Sequence, residues 1–232
     1  MEIRVSSLLQ GAKESSGISV VIDVLRCFTT ETIAFQRGAE KIILVAEIEK
    51  AMDLKRKGLG TLLMGEVAGK RPEGFDYGNS PVDILDVDFE GKTIIQSTRA
   101  GTVGVVNAGN SEVLYGGSLV AASATVEAIK AHDPKLVNLI AMGLEGRVRA
   151  DEDEQCALFL KNLLQGRQPD VDSLKNLILV GEEAQKYGND LTPHWPKEDL
   201  DIALDVDSHD FAIRIRKEDG YMVSRKEIIA KR

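Results

Sequence analysis

Residues 65–81 combine glycines and prolines with acidic and basic side chains that can bind ions. They hold four glycines, two prolines, three acidic and two basic residues, and they follow an apolar run. Glycine lets the backbone approach a ligand closely, acidic side chains bind metal ions, and basic side chains bind anions. This composition predicts a site for a phosphorylated, metal-bridged substrate. A long, well-ordered surface loop explains the same composition equally well.

A second polar cluster begins directly after the apolar run at residues 18–22. Asp23 is a candidate metal ligand or nucleophile, and Arg26 is a candidate for binding a phosphate or carboxylate through two hydrogen bonds. Thr29 and Thr30 add hydroxyl groups that can donate to an anion. Each has a structural alternative, because aspartate and threonine also cap helices and an arginine also pairs with neighbouring acids.

Residues 97–102, Ser-Thr-Arg-Ala-Gly-Thr, lie just before a predicted helix. Backbone N–H groups at a helix start point toward a bound anion, and the helix dipole favours negative charge there. Thr98, Arg99, Gly101 and Thr102 are therefore candidate phosphate or sulfonate contacts. The segment lacks P-loop spacing, and the chain has no Gly-x-Gly-x-x-Gly fingerprint, which disfavours a Rossmann dinucleotide enzyme.

The acidic run Asp151-Glu152-Asp153-Glu154 opens another predicted helix. Asp151 can act as the N-cap with Glu154 three residues on, and acids in a first turn complement the helix dipole. In the functional interpretation, one or two of these four carboxylates bind a hard cation such as Mg²⁺, which prefers oxygen ligands. The two interpretations are compatible.

The elements that must position these clusters alternate between strand and helix signals. Short apolar runs predict buried strands, and apolar residues three or four apart predict helices. The predicted strands are 18–22, 41–45, 61–64, 92–96, 113–115 and 136–141, and the predicted helices are 24–38, 47–57, 119–129, 174–184 and one that begins at 151. This alternation predicts an α/β fold of three layers, α/β/α, with a largely parallel sheet. Residues 211–216 and 221–224 predict an antiparallel hairpin at the sheet edge.

The order of the elements also predicts where a ligand binds. We expect a single domain over residues 1–232, more divergent from about residue 170. In open α/β sheets, ligands bind beyond the carboxyl ends of the strands. The clusters at 23–26, 66–80, 97–102 and 143–153 each follow a predicted strand, so we expect them to converge on one cleft.

Composition excludes several classes of protein. The chain has 232 residues, 43% of them hydrophobic and 28% charged, which suits one large α/β domain. The net charge of −8 lacks the excess of basic residues that is typical of proteins that bind nucleic acids. No run in the sequence approaches the roughly 20 apolar residues of a membrane-spanning helix. The start of the chain lacks the apolar run of a secretory signal. Cys27 and Cys156 are interpreted as packing residues, and two distant cysteines fit a reducing cytoplasm, where we expect the protein.

Several of these motifs, in this order, resemble the 2-phosphosulfolactate phosphatase family. The matching pieces are Ile22-Asp23-Val24-Leu25-Arg26 with Thr29-Thr30, Gly38-Ala39, Gly65-Glu66 with Gly69, Phe75-Asp76 with Gly78-Asn79-Ser80-Pro81, Thr98 with Gly101-Thr102, and Glu152-Asp153 with Cys156-Ala157. They span most of the chain, to about residue 165, and the Gly-Asn-Ser-Pro loop is the most distinctive.

The resemblance implies a Mg²⁺-dependent homodimer that hydrolyses 2-phosphosulfolactate to sulfolactate, a step of coenzyme M synthesis. The implied catalytic residues are Asp23, Arg26, Glu66 and Asp76. The implied metal ligands come from Asp23, Glu66, Asp76, Glu152 and Asp153. The implied substrate-binding residues are Thr29, Thr30, Lys70, Asn79, Ser80, Thr98, Arg99, Gly101 and Thr102.

Two functions from different classes fit these residues. The first is metal-assisted hydrolysis of 2-phosphosulfolactate or a related small phosphate monoester, by direct attack of water or through an aspartyl-phosphate at Asp23. The second is a non-catalytic protein that binds and senses a phosphorylated or sulfonated metabolite. Release of phosphate from a panel of monoesters, with and without Mg²⁺, separates the two.

Overall fold

The computed structural model describes residues 1–229, which form nine strands and eight α-helices. The strands are β1 (Glu2–Ser7), β2 (Ile18–Ile22), β3 (Lys41–Val45), β4 (Leu62–Gly65), β5 (Thr93–Ser97), β6 (Val113–Gly117), β7 (Leu136–Ala141), β8 (Phe211–Glu218) and β9 (Tyr221–Ile228). The helices are α1 (Leu8–Lys13), α2 (Cys27–Gln36), α3 (Ile48–Arg56), α4 (Gly101–Asn107), α5 (Ala122–Lys130), α6 (Asp151–Leu164), α7 (Val171–Leu179) and α8 (Lys197–Ala203). None of the helices in this part of the chain is long and apolar enough to cross a membrane.

All nine strands join one mixed sheet in the order β1-β7-β2-β6-β8-β9-β3-β5-β4. Strands β1, β7, β2 and β6 pair in parallel, as do β3, β5 and β4. The hairpin β8–β9 pairs antiparallel with β6 on one side and with β3 on the other. The predicted α/β class with a largely parallel sheet is confirmed. The predicted edge position of the hairpin was wrong, because it joins two parallel blocks at the centre of the sheet.

The central hairpin reverses the strand direction between the two blocks. Three antiparallel pairings separate β6 from β3, so β3, β4 and β5 run opposite to β1, β2, β6 and β7. In a flat sheet, the strands of one block would therefore have their carboxyl ends at the top of the sheet, and the strands of the other block would have theirs at the bottom. Helix α4 contacts both β2 and β3, and side chains from both blocks share one core with α2 and α4. The sheet therefore curls around α2 and α4.

The buried strand β2 shows how the sequence produces these layers. Val20 and Ile22 pack into the core beneath α5 and α6, while Val21 packs into the core shared with α2 and α4. Each of these side chains is fully buried, and burying one stabilises the fold by about 1.5–3 kcal/mol. A strand covered on both faces needs apolar residues at consecutive positions, which is the pattern that predicts it.

Candidate active site

A cleft of about 290 Å³ opens where the two strand blocks meet. It is lined by Asp23, Leu25, Arg26, Glu66, Ala68, Gly69, Asn79, Arg99, Ala100, Gly143, Leu144, Glu145, Glu152, Asp153, Glu183, Lys186, Tyr187 and Trp195. The predicted convergence of the four polar clusters is confirmed. The reason given for it was incomplete, because the clusters follow strands of two blocks that run in opposite directions and do not all follow strands of one parallel block.

Asp23 lies directly after β2 and links the two blocks. Its carboxylate accepts hydrogen bonds from the N–H of Cys27 at 3.1 Å and the N–H of Gly101 at 2.7 Å. A Cβ added at Gly101 would lie 2.6 Å from Cys27 Sγ and 2.9 Å from the Asp23 carboxylate. Only glycine allows this approach of α4 to Asp23. The carboxylate caps α2, as the structural alternative predicts, and also faces the cleft.

Glu66 has the same arrangement at the end of β4. One carboxylate oxygen accepts the Arg99 N–H at 2.8 Å, and the other accepts the Gly69 N–H at 2.8 Å. Gly69 has φ of 78°, and a Cβ there would come within 2.5 Å of the Trp195 ring nitrogen. Glu66 therefore fixes both its own loop and the segment that presents Arg99.

Asp153 and Glu152 enter the cleft from the first turn of α6. Asp153 accepts the Val24 N–H and the Gly143 N–H, both at 2.8 Å, so it joins the ends of β2 and β7. Glu152 is 4% exposed, yet within residues 1–229 it forms no ion pair and accepts no hydrogen bond from another side chain. Asp153 has two backbone donors, whereas Glu152 accepts no hydrogen bond from any other residue in this part of the chain.

Burial and mutual repulsion raise the pKa values of these carboxyl groups. Burial raises the pKa of Asp23 to about 6, with a further rise from the Glu66 charge. Burial raises the pKa of Glu152 to about 8, and the nearby charges of Glu183 and Asp23 add to the rise. Burial also raises the pKa of Asp153 well above its ordinary value, followed by the charges of Glu152 and Asp23. A cation bound nearby would offset this repulsion and stabilise the ionised form of these carboxyl groups.

The donor chemistry of the cleft fits a hard divalent cation. The candidate donors are carboxylate oxygens, which Mg²⁺ prefers, and each oxygen of Asp23 and Asp153 keeps a free lone pair beyond its hydrogen bond. Within residues 1–229, no three acidic, histidine or cysteine side chains form a ready-made ligand set. The fit therefore rests on donor type and charge.

Arg26 lines the cleft, but protein acceptors engage its guanidinium group. It donates to Asp199 at 2.5 Å, to the His194 carbonyl at 2.9 Å and to the Gly69 carbonyl at 3.0 Å. The guanidinium also lies over the Tyr187 ring, 5.9 Å from the ring centre. The salt-bridge alternative describes these contacts, and Arg26 ties α8 and residues 187–194 to the cleft.

Arg99 and Lys186 are cleft cations with different surroundings. The Arg99 guanidinium forms no hydrogen bond or ion pair with another residue in the part of the chain the structure describes. Lys186 pairs with Glu183 at 2.5 Å and lies 5.6 Å from the centre of the Trp195 ring. Arg99 is therefore the arginine whose N–H donors are available to an anionic ligand.

Several predicted site residues lie outside this lining. Asp76 accepts hydrogen bonds from Lys55 at 2.6 Å and from the Leu63 N–H at 2.7 Å. Burial by itself raises the pKa of Asp76, but these two partners outweigh burial, and the pKa lies below its ordinary value. Its carboxylate holds the loop against β4 and α3, and the structure does not bring it to the other acids. Lys70 is exposed beside the cleft.

The predicted hydroxyl ligands make internal contacts instead. Thr29 donates to the Val24 carbonyl at 2.7 Å, and Ser80 donates to Asp199 at 2.8 Å. The hydroxyl of Thr102 accepts the Thr98 N–H at 2.9 Å and closes the turn before α4. Thr30 Oγ1 is buried without a partner in residues 1–229. Of the remaining predicted residues, Asn79 lines the cleft and Gly101 contributes its N–H to Asp23.

Sequence reasoning missed one wall of the cleft. Glu183, Lys186, Tyr187 and Trp195 lie between α7 and α8. Glu183 falls in the helix predicted over 174–184, but the observed helix α7 spans Val171–Leu179 and ends before it. Trp195 is the only tryptophan of the chain and the only signal that marked this segment. Asp199, the buried partner of Arg26, was missed because α8 was not predicted.

Comparison with known proteins identifies the family. Residues 5–216 match the model of the 2-phosphosulpholactate phosphatase family. The chain belongs to this family. The matched region includes every residue that lines the cleft, and the resemblance found in the motifs is confirmed. The family is one of phosphoric monoester hydrolases.

Individual relatives agree with this assignment. A protein of Thermoplasma volcanium named "Probable 2-phosphosulfolactate phosphatase" is 32% identical over 202 residues, covering 86% of this chain and 91% of the relative. A protein of Bacillus subtilis with the same name is 29% identical over 216 residues, covering 91% and 92%. One of Carboxydothermus hydrogenoformans, also so named, is 44% identical over 108 residues, covering 47% and 44%.

Proposed function

We propose that this protein is a Mg²⁺-dependent phosphatase that hydrolyses 2-phosphosulfolactate, or a closely related small anionic phosphate monoester. The main support is the cleft, in which Asp23, Glu152 and Asp153 lie beside Arg99 in a member of this phosphatase family. The names of the relatives supply the substrate. The family resemblance supports a step of coenzyme M synthesis and a homodimer, and the two free, buried cysteines support a reducing cytoplasm.

The residues that would hold Mg²⁺ are Asp23, Glu152 and Asp153. When bound, the cation supplies charge neutralisation at the phosphoryl oxygens. Glu152 is the most available of the three, because its carboxylate lacks the backbone partners that Asp23 and Asp153 have. The backbone bonds of the other two fix their orientation in the cleft, as outer contacts do for metal ligands.

Arg99 binds the phosphoryl group in this proposal. A guanidinium group donates two parallel N–H bonds to adjacent oxygens, and in a cleft it stabilises charge that develops in the transition state. Glu66 holds the Arg99 backbone at 2.8 Å and so fixes the base of this side chain. Lys186 also lines the cleft, and a second anionic group such as a sulfonate or carboxylate would compete with Glu183 for it.

Asp23 has one of two roles in the chemical step. As a nucleophile it forms an aspartyl-phosphate that water then hydrolyses, and as a positioning group it orients water for direct attack. With a pKa of about 6, most Asp23 carboxylate is ionised above pH 7, as both roles require. Quenching the reaction with acid during turnover distinguishes the two roles, because only a nucleophilic Asp23 leaves phosphate covalently bound to the protein.

The proposal is tested by phosphate release from 2-phosphosulfolactate and 2-phospholactate, each with Mg²⁺ and with a chelator. We expect Mg²⁺-dependent turnover that Asp23→Asn abolishes and that Asp83→Asn, a change at an exposed aspartate, leaves intact. If the protein hydrolyses 2-phospholactate but not 2-phosphosulfolactate, its substrate is a phosphorylated acid without a sulfonate group. Saturable binding without phosphate release would instead support the sensor alternative.

A further inference from the structure

The outer face of the central hairpin carries a second cavity, which we call the basic groove. Its volume is about 290 Å³, and its lining is Arg214, Arg216, Glu218, Val223, Arg225, Lys226, Glu227 and Ile228. Every one of these residues belongs to β8 or β9, and none of them lines the candidate active site. The groove is therefore a separate feature of the hairpin.

The strand register brings arginines together in this groove. Arg214 of β8 is paired directly with Arg225 of β9, so their side chains project from the same face. Arg216 projects from that face two residues further along β8. Like charges directly opposite each other destabilise a strand pair unless other groups compensate them.

The groove carboxylates compensate two of these three arginines. Glu218 accepts two hydrogen bonds from Arg225, both at 2.9 Å. Glu227 accepts the Tyr115 hydroxyl at 3.0 Å and lies 3.9 Å from Arg216. Arg214 has neither kind of partner within residues 1–229.

Among the residues described, Arg214 lacks an acceptor even though part of its guanidinium group is buried. Its guanidinium lies over the Tyr115 ring, 4.9 Å from the ring centre. Nε and Nη1 are buried and have no hydrogen-bond acceptor in the part of the chain described. Buried donors nearly always have an acceptor, so these two donors call for one that residues 1–229 do not provide.

We propose that the basic groove binds a small anion that carries a phosphate or sulfonate group. Three arginines and two glutamates project from this face of the hairpin, an excess of one positive charge in a protein whose net charge is −8, whereas Lys226 pairs with Ile213 and projects from the other face. Guanidinium groups bind tetrahedral oxyanions through paired N–H donors. The groove is at the lower limit of ligand pockets, which suits an inorganic anion or a small phosphorylated acid.

Titration with inorganic diphosphate tests this proposal, with binding followed by calorimetry at low ionic strength. The wild-type protein should bind diphosphate at the groove, and Arg214→Gln should weaken this binding tenfold or more. Arg56→Gln removes the same charge from an exposed position on α3 and should change the affinity less than twofold. Arg99→Gln removes the cleft arginine and should leave groove binding intact.

Two outcomes would overturn the proposal. One is equal affinity in the wild-type protein and Arg214→Gln, and the other is complete loss of binding in Arg99→Gln, which would locate all diphosphate in the cleft. If Arg214→Gln does not fold, Arg216→Gln gives the same test, because Arg216 is largely exposed. That variant should also weaken binding, and unchanged affinity would count against the groove.

Discussion

Glu31 should make the stability of this protein fall as the pH rises toward 8. The side chain is fully buried on α2 and does not line the candidate active site. One carboxylate oxygen has only the Cys27 thiol as a partner, at 3.8 Å, and the other has none within residues 1–229. Burial raises the pKa of Glu31 from 4.5 to about 8. The folded protein therefore holds Glu31 in its protonated form at neutral pH.

The size and sign of the effect follow from this pKa. Below pH 4.5 the carboxyl is protonated in both states, and stability is unaffected. Between pH 4.5 and about 8 only the unfolded chain has released the proton, so the free energy of unfolding falls with rising pH. The slope is about 1.4 kcal/mol per pH unit, which amounts to about 5 kcal/mol over this range.

Glu31→Gln removes this dependence, because glutamine has nearly the shape of the protonated acid and does not titrate. Urea unfolding from pH 5 to pH 8.5 should give similar midpoints near pH 5 and a more stable variant at pH 8. With an m-value of about 3 kcal/mol per molar, the midpoints should differ by about 1–2 M at pH 8. Glu49→Gln, at an exposed site on α3, should show no such divergence. A constant difference between Glu31→Gln and wild type across the range would refute the reasoning.

Three further predictions concern the cleft. Arg99→Gln should lower kcat/KM by about 10²-fold without lowering the melting temperature, as removal of an oxyanion donor does, and steady-state kinetics with thermal unfolding checks this. Asp199→Asn should destabilise the fold by about 3–5 kcal/mol in urea unfolding, because the buried Arg26 loses its charged partner. Mg²⁺ should bind more tightly as the pH rises from 6 to 8, through the pKa values of Asp23 and Glu152. Each proton that the cation displaces should give about a tenfold gain per pH unit, measured by calorimetry, and affinity independent of pH would exclude these ligands.

The strand and helix pattern was the part of the fold most fully predicted from sequence. Strands β2, β3 and β7 match the predicted ranges, since buried parallel strands need continuous apolar runs. Strand β1 was missed because four of the six residues in its sequence, Glu-Ile-Arg-Val-Ser-Ser, are polar and its burial is partial. The position of the hairpin could not be deduced, because strand order depends on contacts distant in sequence.

The candidate site was predicted where polar residues follow a buried strand. Asp23, Glu66 and Asp153 carry that signal, and all three line the cleft. Asp76 carries the same signal, but Lys55 and the Leu63 N–H engage its carboxylate. The sequence shows that an acidic residue is present near a strand end, but it does not show which side chains or N–H groups bind its carboxylate in the fold.

The central hairpin also has a consequence for the order in which the chain folds. Strands β8 and β9 are synthesised after the other seven strands, and within residues 1–229 they provide the only strand pairing between the two parallel blocks of the sheet. Until residues 211–228 are synthesised, β6 and β3 each present an unpaired edge that can pair with other chains. Contacts so distant in sequence also slow folding. A chain that ends at residue 210 should therefore aggregate, because the pairing of β8 and β9 with β6 and β3 is the step that completes the sheet.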